Sequence, residues 1–361
     1  MNKTRNDLIY TLRSFFDKTY NYSLFGSVDE LYKLSSKLGV AGVIAYTLNK
    51  SNIKDSKFEN TIYKILNKHE RLVNTRNEID ALFNNGFKYL YIKGLTISKY
   101  YKEPYLRYSS DMDIIVEESK YEFAYKLLLE NGYKLVRRDK QEITLVNSNN
   151  IMIDLHRYYT LDDDNFELLF KDCFNDTHEL DINYNYVFNL MHCLKHFRSG
   201  VLDYKFFVDL YYLRRNIDRN ITDDLLNSIN LKKFNDSMNS YLDCILGNKH
   251  YDDNDSAIEN FIFNYVKDSG NNNRVLINSY GKSKLRYMLS RVFIPFDLIS
   301  EEYPILHKYK VLLPIYYVKR VIKIATGKRG KYAYNELKNN KQSSKEQISK
   351  MHEFVSKIGA I

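Results

Sequence analysis

The sequence predicts an α+β protein, in which a β-sheet region lies between a helical N-terminal region and a helical C-terminal domain. Two changes in the spacing of apolar residues predict this order. From residue 5 to about 85, apolar residues recur three and four positions apart, as in amphipathic helices. Between residues 87 and 158, short aromatic and β-branched runs alternate with Gly, Asn and Ser, and from residue 186 the helical spacing returns. We therefore divide the chain into residues 1–85, 86–182 and 183–361.

The composition limits the class of protein. The chain has 361 residues, of which 44% are hydrophobic, so two or three packed units are expected and wholesale disorder is excluded. The formal net charge of +9 favours polyanionic partners such as nucleotides, nucleic acid or an acidic membrane. A lysine-rich solvated surface explains the same charge equally well.

The cysteines and the terminus predict a cytoplasmic protein. Cys173, Cys193 and Cys244 are far apart and form no CxxC pair, which favours reduced thiols over a disulfide framework or a zinc site. The first residues lack the apolar core of a signal peptide. The longest apolar candidate, residues 311–318, is too short to span a bilayer.

Five stretches of the middle region are predicted to be strands: residues 87–93, 111–116, 133–138, 142–147 and 151–158. Gly94 ends the first strand and residues 95–101 are predicted to form two short helical turns. Residues 148–150, Ser-Asn-Asn, are typical of a hairpin turn between the last two strands.

The C-terminal domain is predicted to contain helices at 187–197, 204–215, 223–229, 234–246 and 257–266. Residues 268–274 are rich in Asn and Gly and are predicted to be a loop. A basic segment follows at 308–331, and we expect the polar last twenty residues to fray.

The strand at 111–116 carries the central pair of acids, Asp111 and Asp113. Side chains alternate along a strand, so both carboxylates point to one face while Met112 and Ile114 point to the other. Two neighbouring carboxylates repel each other unless a cation lies between them. An exposed strand edge would also tolerate two acids, but the apolar residues 114–116 indicate a buried central strand. The pattern therefore predicts a divalent-metal site.

The strand at 151–158 adds a third acid, Asp154, on the same face as His156. Asp154 is predicted to be a third metal ligand or the base for an incoming hydroxyl, although one acid in a strand is weak evidence. His156 is predicted to orient that acid or to contact the nucleotide, and a hydrogen-bonded structural role explains it equally well.

Lys93 and Gly94 lie where a strand meets a helix, and such a turn lets a phosphate approach the backbone. Lys93 and Arg107 are predicted to hold phosphates, with two solvated charges as the equal alternative. Ser110 is also assigned to nucleotide binding, although the end of a loop is the favoured explanation.

Two further pairs of polar residues have simpler explanations. His192 and His196 are one helical turn apart, but no Glu follows His192, so packing or substrate contact is favoured over zinc. Asp203 and Asp209 are interpreted as helix caps or surface acids.

Seven short motifs resemble one protein family: residues 92–95, Tyr100, Pro104, residues 106–107, 110–116, 130–133 and 153–156. They are similar to the uncharacterised nucleotidyltransferase family of the DNA polymerase β-like nucleotidyltransferase superfamily, over residues 39–215. The resemblance implies a mixed β-sheet palm, two catalytic acids at Asp111 and Asp113, and a third at Asp154. It also implies Mg²⁺ and a nucleoside triphosphate. The sequence departs from the wider superfamily in its turn, where Lys93-Gly94 stands in place of Gly-Ser, and in the longer gap before Asp111.

These observations lead us to expect a nucleotidyltransferase that moves a nucleoside monophosphate from a triphosphate, ATP among the candidates, to an acceptor hydroxyl. The acceptor would be a small molecule, a sugar or a protein, and Mn²⁺ is the alternative metal. One rival is a catalytically silent module of the same shape. The other is a basic nucleic-acid or membrane-surface binder using residues 308–331, and nucleic acid is not favoured because no groove-reading motif is present.

Overall fold

The structure is a computed structural model that describes residues 2–21, 23–83, 86–139, 142–157, 168–170, 173–268, 270–326 and 330–361. The chain forms two compact units, one from Met1–Lys195 and Asp203–Asp255, the other from His196–Leu202 and Ser256–Ile361. The predicted division at residues 85 and 182 stays a prediction. Asn84, Asn85, Tyr158, Ser269, Gly327, Lys328 and Arg329, which fall in predicted elements or segments, lie outside the described residues.

Ten helices of the described chain begin in the first unit before residue 253, and the first four of them confirm a helical N-terminal region ahead of the sheet. They are α1 (Asn2–Asp17), α2 (Val28–Lys37), α3 (Ala41–Lys50), α4 (Ser56–Phe83), α5 (Gly94–Ser98), α6 (Tyr121–Glu130), α7 (Ile182–Arg198), α8 (Tyr204–Leu213), α9 (Arg219–Ser228) and α10 (Lys232–Leu246). Short 3-10 turns lie at Pro104–Leu106 and Glu118–Lys120.

The five predicted strands are confirmed, with ends that differ from the predicted ones by two residues or fewer. They are β1 (Tyr89–Ile92), β2 (Asp111–Val116), β3 (Lys134–Arg138), β4 (Glu142–Val146) and β5 (Met152–His156). Their order in the sheet is β1-β2-β5-β4-β3. β2 and β5 pair in parallel and the other neighbours are antiparallel, so the sheet is mixed, as the resemblance implies.

One face of the sheet is apolar and forms the core of this unit. Met112, Ile114 and Val116 of β2 lie on that face and pack with residues of α4 and α6, among them Ile79 and Leu128. Because side chains alternate along each strand, Asp111 and Asp113 are turned to the opposite face. The burial of one face therefore fixes the direction in which the acids point.

Helix α1 is tied to the end of α10. The guanidinium of Arg13 donates to the carbonyl oxygens of Cys244 and Ile245, at 3.3 and 3.1 Å. These carbonyls belong to the last turn of α10, which ends at Gly247 in the left-handed conformation (φ 81°). A cation at a helix C-terminus satisfies carbonyls that have no partner within the helix.

The second unit is helical and corrects two predictions. Helix α11 (Asp253–Asp268) begins at the end of the first unit and continues into the second. The second unit also contains α12 (Asn271–Asn278), α13 (Lys284–Val292), α14 (Phe296–Glu302), α15 (Ile305–Lys308), α16 (Leu313–Thr326), α17 (Gly330–Gln342) and α18 (Lys345–Lys357). The loop predicted at 268–274 is wrong from residue 271 onward, because α12 begins there. Asn273 is buried and its amide donates to the carbonyls of Gly200 and Phe261, so tertiary bonds override the local preference for a turn.

The frayed end predicted for the last twenty residues is also wrong. Ser344 caps α18, and its hydroxyl accepts from the backbone N–H of Gln347 while the Gln347 side chain accepts from the backbone of Ser344. Val355 and Ile358 are buried, so this helix packs in the second unit. Across the described residues, no helix combines the length and the apolar character needed to cross a membrane.

Candidate active site

The polar face of β2 carries Asp111 and Asp113, as predicted. Asp113 is buried and Asp111 is half-buried. The hydroxyl of Ser109 donates to the backbone oxygen of Asp111 at 3.1 Å and lies 3.4 Å from its Oδ1. This contact fixes the end of the preceding loop at the first of the two acids, while Ser110 beside it is exposed.

Asp154 joins the pair from the neighbouring strand. It is the direct partner of Asp113 in the parallel β2–β5 register, so the two side chains leave the same face of the sheet. Thr144 of β4 donates a hydrogen bond to Asp154 Oδ1 at 2.7 Å. Burial raises the pKa of Asp154, the bond from Thr144 lowers it, and the charges of Glu142, Asp113 and Asp111 raise it further. The three acids thus share one face and repel one another.

Asp113 is held by two positive or hydrogen-bonding groups. Lys93 Nζ lies 2.7 Å from Asp113 Oδ1, and His156 Nε2 lies 2.9 Å from the same oxygen. Burial alone would raise the pKa of Asp113, but Lys93 and His156 together hold that pKa well below its usual value. His156 Nδ1 lies 3.5 Å from Glu142 Oε2, so the ring is placed between two carboxylates. Asp113 is therefore ionised near neutral pH.

The turn after β1 has an unusual backbone. Lys93 has φ 57° and ψ −144°, a region that residues with a side chain rarely adopt, and Gly94 follows at φ 33°. A Cβ at Gly94 would lie 3.3 Å from Ser109 Oγ, so the turn also packs closely against the loop before β2. Strained backbone of this kind is common at functional sites because it aims a side chain. Here the aimed side chain is Lys93.

Arg107 lies deeper than predicted. Its Nε and Nη2 donate to the two carboxylate oxygens of Asp209, at 3.2 and 3.1 Å, and both side chains are buried. Tyr101 donates to Asp209 Oδ1 at 2.6 Å. The interpretation of Asp209 as a cap or surface acid is wrong, because it is the fully buried partner of an arginine. The phosphate contact predicted for Arg107 stays a prediction.

Helix α8 adds a cation that the sequence did not single out, Lys205. It lies one helical turn before Asp209, and burial lowers the pKa of its ammonium. The Arg107 charge lowers that pKa further, whereas Asp209, Asp203 and Asp111 oppose the effect. In the sequence, Lys205 is marked only by its position four residues before Asp209. That spacing places both side chains on one side of the helix, but it points to the site only once Asp209 is known to face inward.

Asp203 and His192 occupy structural positions. Asp203 is the N-cap residue of α8, which agrees with one of its predicted roles, and burial raises its pKa to about 6. The ring of His192 packs edge-on against Phe206, with 5.6 Å between centroids, in agreement with the favoured packing role.

A cavity of about 240 Å³ lies beside the Tyr101–Asp209 contact. Tyr212, which stacks on Tyr101 with 4.3 Å between ring centroids, is one of its lining residues. The others are mainly aromatic and basic: Phe15, Phe16, Lys18, Tyr20, Tyr46, Lys102, Glu103, Tyr211 and Arg215. None of the predicted site residues lines it.

The acids fit a divalent cation that takes part of its ligands from substrate. In the described part of the chain, no group of three or more His, Cys, Asp or Glu side chains is placed to hold a metal by itself. Mg²⁺ usually takes only one or two carboxylates from a protein and completes its shell with phosphate oxygens and water. Two acids of this face would meet that need, and a cation beside them would relieve the repulsion that raises the pKa of Asp154.

The part of the chain that carries these acids matches a known protein family. A family model described as "Uncharacterised nucleotidyltransferase" matches residues 26–247, more than half of the chain. The match contains the whole sheet and every acid and cation of the site, so the resemblance indicated by the motifs is confirmed. No curated protein matches the chain at a significant level.

Proposed function

Since the chain belongs to the uncharacterised nucleotidyltransferase family, we propose that it transfers a nucleoside monophosphate from a nucleoside triphosphate to an acceptor hydroxyl. The family supports nucleotidyl transfer in general. The observation that carries the specific proposal is the register of Asp113 with Asp154 across β2 and β5, with Asp111 on the same face. Three acids beside a lysine are the groups that a metal-bound triphosphate requires.

The proposal assigns Asp111 and Asp113 to Mg²⁺, with Mn²⁺ as the alternative, and assigns Asp154 to the proton of the acceptor hydroxyl. When bound, the metal supplies neutralisation of the triphosphate charge and activation of the attacking oxygen. Asp113 is suited to this role because its carboxylate stays ionised, with a pKa held well below the usual value. His156 positions that carboxylate through its contact with Oδ1.

The chain's own residues account for the transfer step. An acceptor oxygen forms a bond to the α-phosphorus, the bond from that phosphorus to the bridging oxygen breaks, and pyrophosphate leaves. Asp154 accepts the hydroxyl proton, a role supported by burial that raises its pKa above the ordinary value. When the triphosphate binds, the Lys93 ammonium leaves Asp113 and pairs with the phosphates, because their negative charge is larger than that of one carboxylate.

The remaining contacts to the nucleotide come from the edges of the site. Gly94 lets a phosphate approach the backbone at the turn, and Ser110 is exposed beside Asp111. Arg107 uses Nε and Nη2 on Asp209, so its contribution to a phosphate would come through Nη1. We place the reaction in the cytoplasm, which is supported by three widely spaced cysteines that form no CxxC pair.

The experiment that tests this function uses the full chain, Mg²⁺ and each of the four α-labelled ribonucleoside triphosphates. The protein is incubated with cell extract, and the labelled products are separated and identified by mass spectrometry. The expected result is one labelled acceptor together with released pyrophosphate. Absence of both with all four nucleotides, from folded protein, would exclude the transferase.

A catalytically silent nucleotide-binding module is the second candidate, and one observation favours it. The Lys93–Asp113 ion pair already neutralises the most buried of the three acids. If that pair persisted with nucleotide bound, Asp113 could not serve a metal. Nucleotide binding without any pyrophosphate release, unchanged by Asp111→Asn, would support this candidate.

A further inference from the structure

Two helices of the second unit expose apolar side chains along a shared surface. Six of these side chains are more than half exposed. Leu285 (64%) lies on α13 and Phe293 (54%) directly follows it. Val311 (82%) lies in the turn before α16, and Ile315 (54%), Val318 (59%) and Ile322 (56%) lie on that helix. Apolar residues in such a group are rare on a soluble surface unless a partner or a membrane covers them. We call this group the α13–α16 face.

On α16 the exposed apolar residues lie in one line. Ile315, Val318 and Ile322 are three and four positions apart, so they share one side of the helix. The opposite side is anchored inward, where Tyr317 donates to the carbonyl of Ile294 at 2.6 Å and Arg320 pairs with Glu302 at 2.7 Å. These two contacts fix the orientation of α16, and they leave its apolar side facing solvent.

Helix α13 has the same arrangement. Leu285, Met288 and Leu289 are exposed and recur at helical spacing. Tyr287 points the other way, is buried, and donates to Glu336 Oε1 at 2.6 Å. Two helices, each held by polar contacts on one side, thus present their apolar sides to solvent.

An apolar groove joins the two helices. It has a volume of about 500 Å³, and its lining includes Val292 and Phe293 from the end of α13 and Pro314, Val318 and Val321 from α16. The lining is almost entirely apolar, so the groove offers hydrocarbon contact and nothing to orient a polar ligand. This chemistry suits acyl chains better than a nucleotide or a sugar.

Cations lie close to this apolar face along the chain. Residues 282–323 contain nine Lys or Arg and three Asp or Glu. Lys308 and Lys310 precede Val311, and Lys319 follows Val318, all three with exposed side chains. Of the three acids, Glu302 is already paired with Arg320 and Lys323, and this pairing lowers its pKa against the effect of burial.

We propose that the α13–α16 face binds the surface of an anionic lipid bilayer. Amphipathic helices with an apolar side and flanking lysines lie in the plane of the bilayer, with the apolar side at the boundary of headgroups and acyl chains. The lysine ammonium groups then meet the acidic headgroups while their stems stay beside the apolar residues. The charge pattern selects this occupant over a second copy of the chain, which would bring the same cations to the interface.

The test is vesicle flotation of the full chain with two lipid compositions. Phosphatidylcholine vesicles and vesicles in which about one third of the lipid is phosphatidylserine are compared at low and high salt. We expect binding to the anionic vesicles, weaker binding in high salt, and little binding to phosphatidylcholine alone. Lys319→Gln should lower the partition coefficient about fivefold, the loss of one surface cation. Val318→Asp should lower it more than about tenfold, because a charge enters the apolar layer.

The matched control is Tyr63→Asp, which places the same charge at a 68% exposed aromatic residue of α4, in the other unit. It should bind vesicles as the unchanged chain does, and circular dichroism confirms that each variant is folded. Binding retained by folded Val318→Asp would overturn the proposal. So would a Val318-dependent dimer in light scattering, or salt-sensitive binding to duplex DNA, when either occurs without vesicle binding.

Discussion

The ammonium of Lys93 lies 2.7 Å from Oδ1 of Asp113, the acid at the centre of the candidate site. The lysine has φ 57°, so the chain accepts a strained backbone in order to place this side chain there. A cation that pairs with the carboxylate before nucleotide arrives can transfer to the phosphates afterwards. Lys93 thus compensates the buried acid in the free chain, and in the proposed nucleotide complex the metal would take over that role.

Two substitutions at Lys93 distinguish the contribution of its charge from the contribution of its backbone conformation. Lys93→Ala and Lys93→Gly should both weaken triphosphate binding about tenfold or more, since both lose the ammonium. Lys93→Gly should be more stable than Lys93→Ala by about 1 kcal/mol, because glycine accepts the positive φ. Nucleotide titration and urea unfolding measure the two effects, with Lys57→Ala, an exposed ion-paired lysine, as the control. Equal stability of the two Lys93 variants would argue against backbone strain.

Asp154→Asn tests the proton-accepting role. The amide keeps the shape and the hydrogen bond from Thr144 but cannot take a proton, so pyrophosphate release should fall by about 10² to 10⁴-fold. Triphosphate binding should change far less. Asp236→Asn, which alters an exposed acid on α10, is the control for loss of a carboxylate. A rate close to that of the unchanged chain would remove Asp154 from the mechanism.

The alternation of side chains along a strand made the Asp111–Asp113 pair predictable from the sequence. Contacts between distant parts of the chain could not be predicted in this way. Asp111 and Asp113 share a face because the period of a strand is two residues, which sequence alone reveals. The register that sets Asp154 opposite Asp113 depends on how β5 enters the sheet, so the sequence predicted Asp154 as a third acid of the site but not its partner across the strands. Arg107 and Asp209 are 102 positions apart, and nothing local marks the arginine as the partner of a buried acid.

The helix that begins at Asn271 shows the same limit in another form. Asn and Gly favour turns through local backbone preferences, and residues 268–274 were predicted to be a loop on that basis. The buried bonds from Asn273 to the carbonyls of Gly200 and Phe261 come from distant parts of the chain. Contacts of this kind outweigh a local preference and cannot be read from a window of sequence.

The Arg107–Asp209 pair should contribute mainly to stability. Asp209→Ala leaves a buried guanidinium without its partner, and we expect a loss of about 3–5 kcal/mol in the free energy of unfolding. The double variant Arg107→Met with Asp209→Leu should recover much of that loss, since no unpaired charge remains. Urea unfolding of the single and double variants gives both values. A single-variant cost below about 1 kcal/mol would show that water reaches the pair.

Asp203 should make stability depend on pH. Its folded pKa of about 6 lies above the ordinary value of 3.8, so the folded state binds more protons than the unfolded state between these values. Stability from this group is therefore complete below about pH 4 and falls as pH rises through 6. Asp203→Asn should be more stable than the unchanged chain at pH 7, by up to about 3 kcal/mol, and equal to it near pH 4. Thermal unfolding across this range checks the sign, and a difference that grows toward low pH would contradict it.

The most direct measurement of the central claim is isothermal titration of the full chain with each Mg²⁺-loaded triphosphate, repeated with Asp111→Asn and Asp113→Asn. We predict binding of at least one triphosphate that depends on Mg²⁺ and is weakened about tenfold or more by each variant. Folded protein that binds no triphosphate, or binds one equally well without Mg²⁺ and in both variants, would contradict a metal-dependent site at these acids.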